Sequence, residues 1–467
     1  MEGARKMTNV FFERDIYKDL VKWANEDSNY ALRLKGPRQV GKTSILKKLG
    51  SEYFKTLVYI NLREEGETDK FEGLKAYHKE QFGYSKFDQE HGPMWESIFR
   101  EYEPDYTNDT QTLVIIDEIQ ESASAYNAIR QIRRSLKSKI AVTGSYLGII
   151  SRHKGYKAPA GDIQFAELSS LSFTEFLKAN NIWEEYSQVK TFSQADMNES
   201  EKAICEKARY LYRAYCQIGG YPDVVSKWVS SENVEQCKEI TARILQMFYE
   251  ESSEYFEEIV GRSLWGRTLA KIAANMVTKS GDLDIALAKD MFRDDGARGL
   301  EIRRRDKINA LKWLDDCGII GTVPIYDELD RVASISNRSL FFFRDMGLMT
   351  QLCENSVSVL PSDLAGMYAE NFVYLHLLEE AGKLFIEKDV CSFNGIWGQI
   401  DFVMHSKERR RYGIEVKHGS GDTKSADKAL AEGKIDYLIR AQDTYGSVSD
   451  NQSTVPIFMI DKLHSLI

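Results

Sequence analysis

The sequence predicts an α/β fold built on a buried parallel sheet, and three stretches predict it. Tyr30-Ala31-Leu32-Arg33-Leu34 alternates in polarity over a strand's length. Thr112-Leu113-Val114-Ile115-Ile116 carries four successive apolar residues, which suits a strand covered on both faces. Lys139-Ile140-Ala141-Val142-Thr143-Gly144 repeats that character and ends in small polar residues.

The loop after the first strand carries the chemistry. Gly36-Pro37-Arg38-Gln39-Val40-Gly41-Lys42-Thr43-Ser44 matches the P-loop pattern of glycine, four residues, then Gly-Lys-Thr. Its glycines let the backbone turn so that successive N–H groups meet phosphate oxygens. Lys42 is expected to reach the β- and γ-phosphates, and the Thr43 hydroxyl to hold Mg²⁺. Downstream, Ile45, Leu46 and Leu49 fall on one face of a helix whose positive N-terminus would meet the same anion.

The second predicted strand ends in Asp117-Glu118. Ligands bind beyond the carboxyl ends of strands in open α/β sheets. Asp117 is expected to orient Mg²⁺ and Glu118 to polarise an attacking water.

The bulk properties bound the rest. With 467 residues, two to four domains are expected. Hydrophobic content of 43% with 28% charged residues fits a water-soluble globular chain. No stretch is apolar enough to span a bilayer, and Met1-Glu2-Gly3-Ala4-Arg5-Lys6 does not lead into a signal core. Six cysteines without Cys-x-x-Cys spacing suggest reduced thiols and a cytoplasmic protein. The seven histidines form no pair with metal-ligand spacing. A net charge of −9 argues against wholesale coating of nucleic acid but permits a local basic surface.

Taken together, Leu34–Thr43, Val114–Gln120, Val142–Ser145 and Glu167–Leu177 resemble a prokaryotic family of AAA-type ATPases with a C-terminal domain of unknown function. The resemblance runs nearly the full chain. It implies ATP and Mg²⁺ as ligands, and a polar residue near the γ-phosphate at Thr143 or Ser145. It also implies that Pro222, in Gly219-Gly220-Tyr221-Pro222, contacts the adenine. Family members carry Gly-Arg shortly before Leu-Ser-Phe-x-Glu-Phe, whereas Gly161-Asp162 stands here. Arg130, Arg133, Arg134 and Arg152 are the candidates to replace that arginine.

Four domains are expected: a P-loop ATPase domain at 1–170, a helical lid at 171–260, a winged-helix-like domain at 261–350 and an α/β nuclease-like domain at 351–467. In the third, a helix over Asp306–Cys317 precedes two strand-like runs, Ile319–Val323 and Leu340–Phe343, which together resemble a winged helix. Residues 298–312 hold Arg298, Arg303, Arg304, Arg305, Lys307 and Lys312 against Glu301 and Asp306, a surface able to meet DNA phosphates.

In the fourth, Asp401 sits in a strand pattern and Glu415 and Lys417 lie two residues apart on the next. Residues at i and i+2 of a strand share a face. An aspartate followed by Glu-x-Lys resembles the PD-(D/E)xK nuclease fold. Asp401 and Glu415 would hold Mg²⁺, Lys417 would position the attacking water, and Glu370, on an expected helix, would complete the site.

Three functions follow as expectations. The first is a Mg-dependent ATPase whose nucleotide state controls the C-terminal modules, acting on DNA. The second is an ATP-gated metal-dependent nuclease. The third is a non-hydrolysing nucleotide switch or scaffold for a protein partner or DNA, and a homo-oligomer stands as a further partner expectation.

Overall fold

A computed structural model describes residues 11–27, 30–83, 91–145, 155–156, 161–255, 314–326, 339–354, 361–384, 390–396, 398–406, 408, 410–417 and 424–465. The chain divides into two compact units, Glu13–Ser169 with Asp316–Gly318, and Met1–Phe12 with Ser170–Asp315 and Ile319–Ile467.

The first unit runs α1 (Tyr17–Asn25), β1 (Ala31–Lys35), α2 (Lys42–Tyr53), β2 (Thr56–Asn61), α3 (Glu67–Phe82), α4 (Gly92–Tyr102), β3 (Thr112–Asp117), α5 (Ala123–Ser135), β4 (Lys139–Gly144) and β5 (Ile163–Glu167). The strands form one sheet in the order β2-β3-β4-β1-β5, and every pair is parallel. All six residues of β3 and all six of β4 are buried, as their apolar runs require. One core layer packs Phe71, Trp95, Ile98 and Phe99 of α3 and α4 onto Val114 and Ile116 of β3, with Ile129 and Ile132 of α5. Each such side chain contributes about 1.5–3 kcal/mol on burial. Ser122 starts α5 by accepting the Ala125 N–H at 2.9 Å. This all-parallel order sets the carboxyl ends of β1, β3 and β4 side by side.

The second unit begins with α6 (Phe173–Ala179), α7 (Trp183–Ser187), α8 (Glu199–Ile218), α9 (Pro222–Ser231) and α10 (Val234–Tyr255). Capping boxes, Ser172 with Glu175 and Asn198 with Glu201, fix the starts of α6 and α8. These five helices occupy the stretch read as a lid. The turn at Gly219-Gly220 has a structural reason of its own. A Cβ on Gly219 would lie 2.3 Å from Asp345 Oδ1, and one on Gly220 would lie 2.0 Å from the Leu171 carbonyl oxygen. The buried Asp345 carboxylate accepts the Gly220 N–H at 2.9 Å and the Leu348 N–H at 3.0 Å.

Behind the helices come β6 (Ile320–Tyr326), β7 (Ser339–Phe343), α11 (Met346–Glu354), α12 (Pro361–Leu384), β8 (Cys391–Gly395), β9 (Gly398–His405), β10 (Arg411–Lys417), α13 (Lys424–Ala431), β11 (Tyr437–Gln442) and β12 (Gln452–Pro456). A 3₁₀ helix spans Ile457–Ser465. The seven strands form one sheet, β12-β11-β10-β9-β8-β6-β7. The hairpin expected as a wing is β6–β7, paired antiparallel. It is continuous with the C-terminal sheet, because β6 also pairs in parallel with β8. Aromatic packing explains this: Phe342 stacks on Tyr374 of α12 at 4.7 Å and meets Phe402 of β9 at 5.3 Å. The expected boundary between 350 and 351 falls within α11. The basic residues at 298–312 and the start of the expected helix at Asp306 lie outside the described residues.

All six cysteines are buried with free thiols. Among the described residues, no helix is long and apolar enough to cross a membrane.

Candidate functional site

The loop between β1 and α2 takes its shape from its glycines. A Cβ on Gly36 would lie 2.0 Å from the Leu168 carbonyl oxygen, so only glycine fits there. Gly41, at φ 95°, turns the chain into α2 through the left-handed region. Gln39 also has positive φ, at 58°.

Lys42 opens α2 and its side chain folds back over the loop. Its Nζ donates to the Gly36 carbonyl at 2.9 Å, the Pro37 carbonyl at 2.6 Å and Ser145 Oγ at 3.2 Å. Burial pushes its pKa down to about 8, opposed by the nearby Glu118 and Asp117 carboxylates. Thr43 Oγ1 donates to Asp117 Oδ2 at 2.5 Å, and Tyr59 donates to the same oxygen at 3.1 Å. Burial raises the Asp117 pKa, while its bonds from Thr43 and Tyr59 pull it down. The Glu118 N–H closes onto Asp117 Oδ1 at 3.0 Å. Glu118 itself sits at φ 49°, ψ 45°, a conformation that non-glycine residues hold at a cost of about 1–2 kcal/mol. Its Oε2 accepts from Gln120 Nε2.

Of the two polar candidates on β4, Ser145 is the one that reaches Lys42. Thr143 is fully buried, and its Oγ1 has no hydrogen-bond partner. The loop residues Pro37, Arg38, Gln39, Val40 and Ser44 stand where the motif places them, and Ser44 is exposed.

Arg14 and Tyr59 were not legible in the sequence. Arg14, buried and upstream of α1, donates to the Val40 carbonyl at 3.0 Å and to the Ser169 carbonyl at 2.6 Å. It ties the phosphate loop to the segment after β5. A lone arginine in a segment without a motif gives no signal of that role.

The arginines proposed as substitutes for the family's Gly-Arg go elsewhere. Arg134 makes two hydrogen bonds to Asp162, both 3.0 Å, and Arg130 pairs with Asp162 at 3.3 Å. Asp162 immediately precedes β5, whose first residue pairs with Ala31, the first of β1. These arginines therefore gather at the amino edge of the sheet, one strand length from the phosphate loop. Arg133 is buried beside them and feels the same carboxylate. Arg152 lies outside the described residues. Pro222 occupies the first turn of α9, in the second unit.

In the C-terminal sheet, β9 and β10 are antiparallel with Ile414 opposite Phe402. One further step of that register sets Asp401 opposite Glu415, with Lys417 on the same face. Asp401 Oδ2 accepts the Val416 N–H at 2.8 Å, and Lys417 Nζ pairs with Glu415 Oε1 at 2.7 Å. Both carboxylates are buried. Glu370 stands half-buried on α12. Among the described residues, no group of three or more His, Cys, Asp and Glu is arranged to hold a metal ion.

Residues 28–177 match the family described as an AAA domain, AAA_14. Residues 209–358 match a family described as a domain of unknown function, DUF8612. No curated protein matches the chain. Among solved structures, the Walker-type ATPase PABY2304 of Pyrococcus abyssi is similar at 15% identity, over 73% of this chain and 96% of that one, with a TM-score of 0.43. The Aeropyrum pernix ORC1 protein, solved in complex with DNA, is similar at 13% identity over 74% and 94% of the two chains, with a TM-score of 0.27. Residues 28–177 are thus similar to an AAA domain, and they hold the P-loop and the parallel sheet described above.

Proposed function

We propose that this protein binds Mg–ATP at the carboxyl edge of the first sheet and hydrolyses it. One observation carries the reading: Lys42, Thr43, Asp117, Glu118 and Ser145, scattered over 104 residues of sequence, meet in one place. The Thr43 hydroxyl and Asp117 carboxylate form a hard oxygen pair of the type Mg²⁺ prefers. Bound there, Mg²⁺ would neutralise developing charge on the phosphates. Lys42 would exchange its bonds to the Gly36 and Pro37 carbonyls for phosphate oxygens. Glu118 would accept hydrogen bonds from the attacking water, with Gln120 setting the orientation of its carboxylate. No arginine from the Arg130–Arg134 group supports that chemistry, because Asp162 holds Arg130 and Arg134 at the far edge. Slow turnover by the isolated chain follows, and an arginine from a second copy would raise it. Glu118→Gln tests the assignment. Nucleotide affinity should persist while steady-state phosphate release falls about a hundredfold or more. Unchanged turnover in Glu118→Gln would remove Glu118 from the reaction.

A second reading concerns the C-terminal sheet. The order α12, β8, β9, β10, α13, β11, with three antiparallel strands and a parallel fourth, supports the nuclease-like assignment. In that reading Asp401 and Glu415 hold Mg²⁺, Lys417 positions water, Glu370 assists from α12 and DNA is the substrate. The basic residues in the sequence of 298–312, which lie outside the described residues, would add contacts to DNA phosphates. Supercoiled and linear DNA incubated with Mg²⁺ or Mn²⁺ provide the assay. Cleavage that survives both Glu415→Ala and Lys417→Ala would eliminate this site.

A further inference from the structure

A cavity of about 340 Å³ lies wholly within the second unit and shares no residue with the P-loop or with Asp401, Glu415 and Lys417. Its volume falls in the range of about 300–1,000 Å³ typical of small-molecule sites. Arg209, Arg213 and Gln217 line it from one ridge of α8, spaced four residues apart. The ridge is half-buried at Arg209 and Gln217 and exposed at Arg213. Here it brings two guanidinium groups and an amide to a cavity whose lining holds one carboxylate, Asp443.

Arg209 is the most informative of these groups. Its guanidinium lies over the rings of Tyr445 and Phe458, at 4.9 and 5.2 Å. Its nearest ion pair, to the exposed Glu206, is long at 3.7 Å. Its Nη2 is buried and has no hydrogen-bond partner. A buried N–H of a cation without an acceptor is a group that an oxyanion completes. Tyr212, Tyr368 and Phe458 supply aromatic walls from α8, α12 and the 3₁₀ helix. Such walls accept a flat ring by stacking or edge contact.

We propose that this cavity binds a small planar organic anion, a phosphate or carboxylate borne on an aromatic ring. The guanidiniums of Arg209 and Arg213 take the anionic group, Gln217 adds an amide donor, and the ring lies among Tyr212, Tyr368 and Phe458.

Titration calorimetry on the full chain carrying Lys42→Ala tests this without competition from the P-loop. Phenyl phosphate, benzoate and inorganic phosphate are the probes. Phenyl phosphate or benzoate should bind at least about tenfold more tightly than inorganic phosphate, and the tighter of the two identifies the anionic group. Arg209→Gln and Ala365→Trp, which fills the cavity but keeps both arginines, should each weaken that binding about tenfold or more. Should Arg209→Gln fail to fold, Arg213→Gln at the exposed mouth takes its place with the same expected loss. Absence of binding by either aromatic probe would overturn the proposal. So would binding that Ala365→Trp leaves unchanged.

Discussion

Lys42 holds a positive charge where burial works against it. Its pKa of about 8 gives the free site a pH dependence that an exposed lysine would lack. Phosphate binding favours the protonated amine. Affinity for ATP should therefore be flat from about pH 7, where the terminal phosphate is fully ionised, to pH 8 and fall about tenfold per unit above it, until the raised pKa of the bound form is passed. Calorimetry across that range checks the slope. A constant affinity up to pH 10 would mean that Lys42 does not meet the phosphates. The loop glycines allow a second residue-scale test. Gly36→Ala drives a Cβ into the Leu168 carbonyl, at 2.0 Å, whereas Gly41→Ala meets nothing within 4 Å and bears only the left-handed strain. Denaturant titration should show a loss of about 3 kcal/mol for Gly36→Ala against about 1 kcal/mol for Gly41→Ala. The reverse order would contradict the packing described for Gly36.

Between elements, Arg14 links the phosphate loop to the strand exit at Ser169. Arg14→Lys keeps the charge but cannot span both carbonyls. It should weaken ATP binding about tenfold and lower stability by about 1–3 kcal/mol. Affinity equal to wild type would show that the loop holds its shape without this tie. The salt bridges of Arg130 and Arg134 to Asp162 are half-exposed on the arginine side, so each is worth at most about 1 kcal/mol. Replacing Asp162 by arginine restores the residue type the family carries after that glycine. It should lower stability by about 1 kcal/mol through like-charge repulsion and leave turnover unchanged, since the position faces the amino edge. A marked rise in phosphate release on Asp162→Arg would contradict that placement. The elements also mark where sequence reasoning succeeds. β3 and β4 were legible because an apolar run suits a strand buried on both faces, and β1 because its polarity alternates over a strand's length. The β6–β7 hairpin was legible as a pair of strands. Its membership in the larger sheet was not, since that depends on a parallel pairing to β8 more than sixty residues on.

At the scale of the molecule, the P-loop site was legible because its chemistry is written in contiguous motifs. Lys42, Thr43, Asp117 and Glu118 follow from two short stretches and the rule that ligands sit at the carboxyl ends of parallel strands. Arg14, Tyr59 and the destination of Arg134 were hidden because each depends on tertiary contacts with no local pattern. The lattice of bonds around Asp345 likewise gives Gly219 and Gly220 a packing role that the sequence presents only as a turn. The second unit holds two further candidate sites, one carried by Asp401 and Glu415 and one by Arg209, each with its own assay. All proposals of nucleotide control over that unit rest on the first site being a working one. Calorimetric titration of Mg–ATP into the wild-type chain and into Lys42→Ala is the measurement that decides it. The account predicts saturable binding at one site per chain, weakened about a hundredfold or more by the substitution, with the fold retained by circular dichroism. Equal affinity in the two proteins, or no binding by the wild type, would contradict it.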